Sequence, residues 1–288
     1  MTILPGGAAP PPLPTRSAPV AARPSRRRPA LAVVAAAAVA VAGAALVLPR
    51  LAQDVSAAAA SAVAPAGVPH RVPDEAAAPL GRPAPAPLGS GGWRPLQTHP
   101  DGSPVTFDPC RPVHYVWRDE TGSGELATVL PKALAQLSAA TGLRFVDDGS
   151  TDEPVTQDRA AYQPARYGDR WAPVLVVWRA GGVDAGQHPD ALGLAGPASY
   201  GTSEKDVHFV TGSAAFAGTA LDLRARTGGQ AWVEAVVLHE LGHLVGLDHV
   251  DDPYQVMYPA NVAPLPAYRD GDLRGLEQLG LGRCVSGP

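Results

Sequence analysis

Beyond residue 95 the apolar residues recur with two distinct periods. Val113-His114-Tyr115-Val116-Trp117 alternates and is rich in β-branched and aromatic residues, which predicts a strand. Between Glu125 and Ala140 apolar residues fall at 126, 129, 130, 133, 134 and 137, the stripe of an amphipathic helix that ends before Gly142. Pro131 sits inside that stripe and argues against an unbroken helix. Leu143–Val146 is a short apolar run, and Val174-Leu175-Val176-Val177-Trp178 predicts a buried strand. Weaker strands are expected at about 192–195 and 207–210. Two more helices are predicted over Ala231–Val245 and Asp270–Leu279, with Asp270 as N-cap of the second. Strands mostly precede helices, with one early helix between them. That order predicts an α+β fold rather than a βαβ array.

The first 95 residues have another texture. Residues 1–29 are proline-rich, show no period and end in Arg26-Arg27-Arg28. Ala30 to Leu48 is an uninterrupted apolar, alanine-rich run, about the length that spans a bilayer. The arginines before it predict an N-terminus inside and everything after it outside. The run exceeds the usual signal-peptide core, which favours a retained anchor, while Ala60-Ser61-Ala62 offers a cleavage site that would free a secreted protein. Ser25-Arg26-Arg27 faintly resembles a twin-arginine signal. From residue 49 to 95 the chain is Ala, Pro, Gly and Ser, without the aromatic and β-branched residues a core requires, so it is expected to be a disordered linker. Residues 96–288 remain as one folded domain.

Charge follows the same division. Nine Arg against three acids make the leader basic, and 14 Lys/Arg against 24 Asp/Glu make the domain acidic. An acidic body argues against phosphate-backbone binding, so nucleic acid is not an expected partner.

The chemistry lies on the 231–245 helix, which runs on as His239-Glu240-Leu241-Gly242-His243-Leu244-Val245-Gly246-Leu247-Asp248-His249. Four residues along a helix is about 400°, so His239 and His243 project from one face. Two imidazoles so placed bind one divalent ion, and zinc accepts nitrogen ligands. Glu240 lies about 100° around the helix, within reach of a water on that ion. Gly246 lets the helix end in a left-handed residue, so the chain doubles back and His249 can supply a third ligand. Three neutral ligands with a fourth position open is the layout of a catalytic zinc site. With 8 His in 288 residues, His-Glu-x-x-His arises by chance about 0.006 times per such chain. Requiring the glycine and third histidine lowers this to roughly two in 100,000, which disfavours an ordinary amphipathic helix with surface histidines. Met257 follows in Val256-Met257-Tyr258-Pro259, where a hydrophobic turn can support the ligands from beneath.

These residues resemble the metzincin metalloproteases, and within them the matrixins, the catalytic domains of matrix metalloproteinases and their bacterial relatives. His239, Glu240, His243, Gly246, His249 and the Met257-Tyr258-Pro259 turn carry the likeness, with Asp248 and Asp270-Gly271-Asp272-Leu273. The likeness is sharp over 232–259 and diffuse over about 105–284. It implies a twisted mixed β-sheet with three helices, one catalytic Zn2+, and endopeptidase action on peptide bonds of extracellular or cell-envelope proteins. Glu240 would be the general base, His239, His243 and His249 the ligands, and Met257 the floor. Leu192 to Pro197 looks like the edge strand above the cleft, with Leu194 and Ala195 pairing with an extended substrate by β-augmentation.

The chain departs from the animal enzymes in places. Where they put a histidine for a second, structural zinc, this chain has Ala195 and Gly196. His188 and His208, with Asp190, are leftover candidates, and two solvent-facing histidines are the preferred reading. The acidic pairs Asp147-Asp148 and Asp251-Asp252 could bind Ca2+ but lack a spaced ligand pattern. No inhibitory Pro-Arg-Cys-Gly motif precedes the domain. Cys110 could in principle ligate the zinc of a latent form, but Cys110 and Cys284 in an exported domain more simply form one disulfide. The expected protein is an extracytoplasmic monomeric zinc peptidase, either membrane-anchored through 30–48 or secreted. A cell-surface binding module that keeps the zinc fold without turnover is the alternative, against which Glu240 argues, since it is not a ligand.

Overall fold

The computed structural model describes residues 67–287, apart from 71–73, 90, 157, 185, 187, 261 and 262. The arginine run, the apolar run 30–48 and the candidate cleavage site lie outside the described residues. Among the described residues, no helix is long and apolar enough to cross a membrane.

Five strands make one sheet: β1 (Val113–Asp119), β2 (Phe145–Ser150), β3 (Val174–Trp178), β4 (Gly193–Tyr200) and β5 (His208–Phe216), in the order β2-β1-β3-β5-β4. β3 is buried at all five positions, as a central strand covered on both faces must be. β1 and β5 flank it in parallel, β2 joins β1 in parallel, and β4 runs antiparallel to β5 along the edge. The sheet is therefore mixed, as expected. The parallel β1–β2 pair is nevertheless a βαβ crossover, because the first helix lies between them in sequence. The polar end of β2, Asp147-Asp148-Gly149-Ser150, hides it from an apolar-run reading.

Helix α1 (Glu125–Thr141) buries Leu126, Val129, Leu130, Ala133, Leu134 and Leu137 on one stripe. Pro131 does not break it: its ring faces solvent, and the buried stripe outweighs one lost hydrogen bond. Gly142, at φ 71°, ends the helix with its N–H on the Ser138 carbonyl. Two short helices went unforeseen, α2 (Pro164–Tyr167) and α3 (Gly218–Arg226). Their segments carry too few apolar residues for a stripe, so the described residues hold five helices rather than three. Helix α4 (Gln230–Val245) is buried continuously from Ala235 to Val245. Each Leu there contributes about 1.5–3 kcal/mol of burial, and a helix apolar all round belongs inside a core.

Helix α5 (Asp270–Gly280) begins one residue differently from the expectation. Arg269, extended at φ −105° and ψ 177°, is the N-cap, and Asp270 is already helical. Asp272 accepts the Arg269 N–H at 2.9 Å, which is the reciprocal half of a capping box.

The linker expectation also needs correction over 74–95. Ala76 N–H donates to the Cys110 carbonyl, Leu80 N–H to Pro109 and Ala84 N–H to Ala139, each at 2.9 Å. Trp93 packs on the core and against Gly275. Backbone pairing and the single Trp93 anchor hold this strap, and one aromatic among Ala, Pro and Gly makes no periodic pattern.

Candidate active site

Helix α4 brings His239 and His243 to one face, and Gly246 returns the chain. Gly246 has φ 110° and a Cβ there would lie 2.8 Å from the Phe209 ring, so both backbone and space require glycine. The Gly246 and Leu247 N–H groups close the helix on the carbonyls of His243 and Gly242 at 3.0 and 2.9 Å. Leu96 and Asp248 then pair with Gly246 and Arg94 through the backbone. That pairing carries His249 back to the helix.

The three Nε2 atoms form a triangle with sides of 3.1, 3.1 and 3.2 Å. Nδ1 of His239 lies 2.7 Å from the Val256 carbonyl, and Nδ1 of His243 lies 2.8 Å from that of Leu247. A carbonyl only accepts, so both Nδ1 atoms carry the proton and both Nε2 atoms are bare lone pairs. Burial first, and mutual repulsion second, lowers all three imidazoles to a pKa of about 3. Neutral rings aiming lone pairs at one point repel unless a cation joins them. Tetrahedral nitrogen ligands at zinc stand about 3.3 Å apart, close to the observed triangle. The triad could hold a metal ion.

Glu240 is buried beside this group, facing the edge strand. Its carboxylate takes the backbone N–H of Ala195, while burial pushes its pKa up to about 8. Leu194 and Ala195 pair with Ala215 and Ala214 of β5 on their inner side. No strand pairs with β4 on its other side among the described residues.

Met257 is almost wholly buried, and its Sδ would stand 2.5 Å from a Cβ on Gly242. The turn below the histidines hangs from α5: Asp272 accepts N–H bonds from Val256 at 2.8 Å and Met257 at 3.2 Å. Gln255 fastens the same turn by accepting from Gly271 and Asp272, both at 3.1 Å. Tyr268 donates to the Leu238 carbonyl at 2.8 Å. Sequence reading named Asp272 only as part of a resemblance and missed Gln255 and Tyr268. No local spacing marks a partner on the next element.

The other candidates fall elsewhere. His188 Nδ1 bonds to Asp184 at 2.5 Å, whereas His208 is buried on β5 with Nδ1 on the Asp206 carbonyl. His208 is thus not solvent-facing, and the structure does not bring it together with His188 and Asp190. Asp148 binds His114 and Arg170, Asp251 binds Arg94, and Asp252 accepts from Gln255 and Tyr254. Cys110 and Cys284 are joined in a disulfide with their Cα atoms 5.3 Å apart. A thiol ligand from Cys110 is thereby ruled out in this state.

Residues 189–279, about a third of the chain, match the family model for Peptidase M10, matrixin. The crystal structure of metalloproteinase-II from Bacteroides fragilis is similar at 13% identity and a TM-score of 0.35. The match covers 68% of this chain and 60% of that one. No curated protein matches the chain.

Proposed function

Taking a matrixin-like metzincin domain as premise, we propose that the chain is an exported zinc-dependent endopeptidase acting on extended polypeptides. The observation that carries the proposal is the convergence of three imidazole Nε2 atoms beside a buried carboxylate that is not one of them. His239, His243 and His249 would hold the ion, the first two oriented by the Val256 and Leu247 carbonyls. Bound zinc would polarise the scissile carbonyl and acidify water. Glu240 is the general base: a buried carboxylate beside the ion, and not one of its ligands, takes a proton from water and returns it to the leaving amine. β4 supplies the binding edge, where a substrate strand pairs outside Leu194 and Ala195. Met257 fills the space under the ligands. Export is supported by the disulfide, which persists in oxidising compartments, and by the arginine-led apolar run.

Glu240→Gln tests the reading. The variant is expected to keep about one zinc per chain and to hydrolyse a denatured-protein mixture at least ~10²-fold more slowly. His249→Ala is expected to lose zinc. New peptide termini at wild-type rates in the Glu240 variant would remove the mechanism. Wild-type protein that binds zinc but cleaves nothing would favour a binding module.

A further inference from the structure

Residues 91–96, ahead of β1 and outside the span that matches the family model, reach the supports of all three histidines. Leu96 N–H donates to the Gly246 carbonyl at 2.7 Å, and Asp248 N–H donates to the Arg94 carbonyl at 2.9 Å. Pro95 and Leu247 face each other between those bonds in an antiparallel bridge. Leu247 carries the carbonyl that orients His243, and Asp248 directly precedes His249. At the other end of the segment, a Cβ on Gly91 would run into Gln255 Nε2, and one on Gly271 would run into the Gly92 carbonyl. Gln255 precedes Val256, whose carbonyl orients His239. Trp93 joins the two ends. A Cβ on Gly275 of α5 would come within 3.0 Å of its ring and 2.5 Å of Leu247 Cδ2, so the indole and Leu247 share the surface this glycine leaves open.

The third histidine depends on this segment most. Nδ1 of His239 and of His243 each has a carbonyl, whereas Nδ1 of His249 is buried and meets no partner. Apart from the facing imidazoles, the place of the His249 ring therefore follows from the backbone that carries it. On one side that backbone is held by the Arg94 carbonyl. On the other, Val250 N–H donates to the Met257 carbonyl at 3.1 Å. The Met257 turn is in turn fastened by Gln255, against which Gly91 lies. Both sides of His249 thus lead back to residues 91–96.

We propose that residues 91–96 are a positioning segment for the metal centre, with Trp93 as its anchor and His249 as the ligand it chiefly places. The segment acts through the histidines, and its role rests on the zinc-peptidase reading. Outer supports of this kind are worth about 10–100-fold in metal affinity, far more than their exposed position in the chain suggests.

The test uses the full chain loaded with Zn2+ or with Co2+. Trp93→Ala is expected to release zinc to a chelator at least ~10-fold faster, and to weaken the visible absorption by which Co2+ reports a tetrahedral shell. Trp93→Phe, which keeps an aromatic ring against Gly275, should recover most of both. Gly91→Ala, whose Cβ displaces Gln255, should act in the same direction as Trp93→Ala. Glu153→Gln breaks a buried ion pair with Arg159 and serves as the control for lost stability alone. Its zinc release and Co2+ spectrum should match the wild type. Wild-type release and spectrum in Trp93→Ala overturn the proposal, and so does an equal loss of metal in Glu153→Gln. Should Trp93→Ala fail to fold, Gly91→Ala decides, and unchanged metal binding there overturns the proposal. A wild type that holds zinc but cleaves no peptide removes the peptidase reading, while the metal measurements still decide the segment. A wild type that binds no metal removes both.

Discussion

Gly193 lies directly against the side chain of Glu240: a Cβ placed on residue 193 would come within 2.3 Å of Glu240 Cγ and 2.5 Å of its Oε1. The edge strand and the carboxylate therefore occupy space that only a missing side chain leaves open. Gly193→Ala is expected to push Glu240 aside without touching the histidines. Misplacing a catalytic group by about 1 Å costs ~10²-fold, so kcat/KM should fall by about that factor. Zinc content and melting temperature should hardly change. Wild-type kinetics in this variant would mean that Glu240 need not stay where it lies.

The same reasoning applies beneath the ligands. Asp272 is buried, and its carboxylate accepts from Val256, Met257 and Arg269. Val256 in turn holds His239 through its carbonyl. Asp272→Asn places an NH2 group where one of these acceptor oxygens stood. The expected cost is about 1–3 kcal/mol in urea unfolding, with weaker zinc retention against a chelator. If stability drops but zinc affinity does not, the link from α5 to His239 is absent.

How far the site was legible depends on the distance over which its parts interact. His239 and His243 are one helical turn apart, and a glycine stop is a local event, so spacing alone put three histidines together. The support from Asp272 and Gln255 crosses from one element to another and leaves no periodic trace. α3 was missed because Gly218–Arg226 buries only Leu221 among its large apolar residues. The strap 74–95 reads as spacer because its order comes from backbone groups, to which composition is blind, and from one isolated aromatic, Trp93. His208 reads as solvent-facing because a lone histidine at the start of a weak strand says nothing about the Tyr200 ring and the Arg111 and Asp108 charges near it.

The disulfide supplies a third prediction. Cys110 and Cys284 are 174 residues apart, so the bond closes a loop that holds all five strands and all five helices described. In the chain-entropy account so long a loop is worth about 4–5 kcal/mol. Cys110→Ser/Cys284→Ser should melt appreciably lower, yet bind zinc and cleave peptide when folded. Denatured, unreduced wild type should show no titratable thiol, and finding two per chain would sink the bond.

The last prediction concerns a buried ion pair away from the three histidines. The Glu153 carboxylate accepts from Arg159 Nε at 2.8 Å and Nη2 at 3.0 Å, from Gln163 at 2.6 Å and from the Tyr167 hydroxyl at 2.6 Å. Arg159 also donates to the Pro173 and Gly212 carbonyls, so the pair ties the loop before β3 to β5. Burial alone would raise the Glu153 pKa, but Arg159, followed by Tyr167 and Gln163, outweighs it and leaves the group below its ordinary 4.5. A carboxylate with a depressed folded pKa adds stability that is present above the unfolded value and disappears as pH falls through the folded one. Glu153→Gln should therefore cost about 3–5 kcal/mol at neutral pH, mostly by leaving Arg159 buried without its charge partner. As pH falls below 4.5 and through the depressed folded pKa, the wild type should lose this advantage and approach the variant. Urea unfolding of both proteins across that range measures the gap, and a gap that stays constant down to the acid limit would show that Glu153 is not ionised in the folded protein.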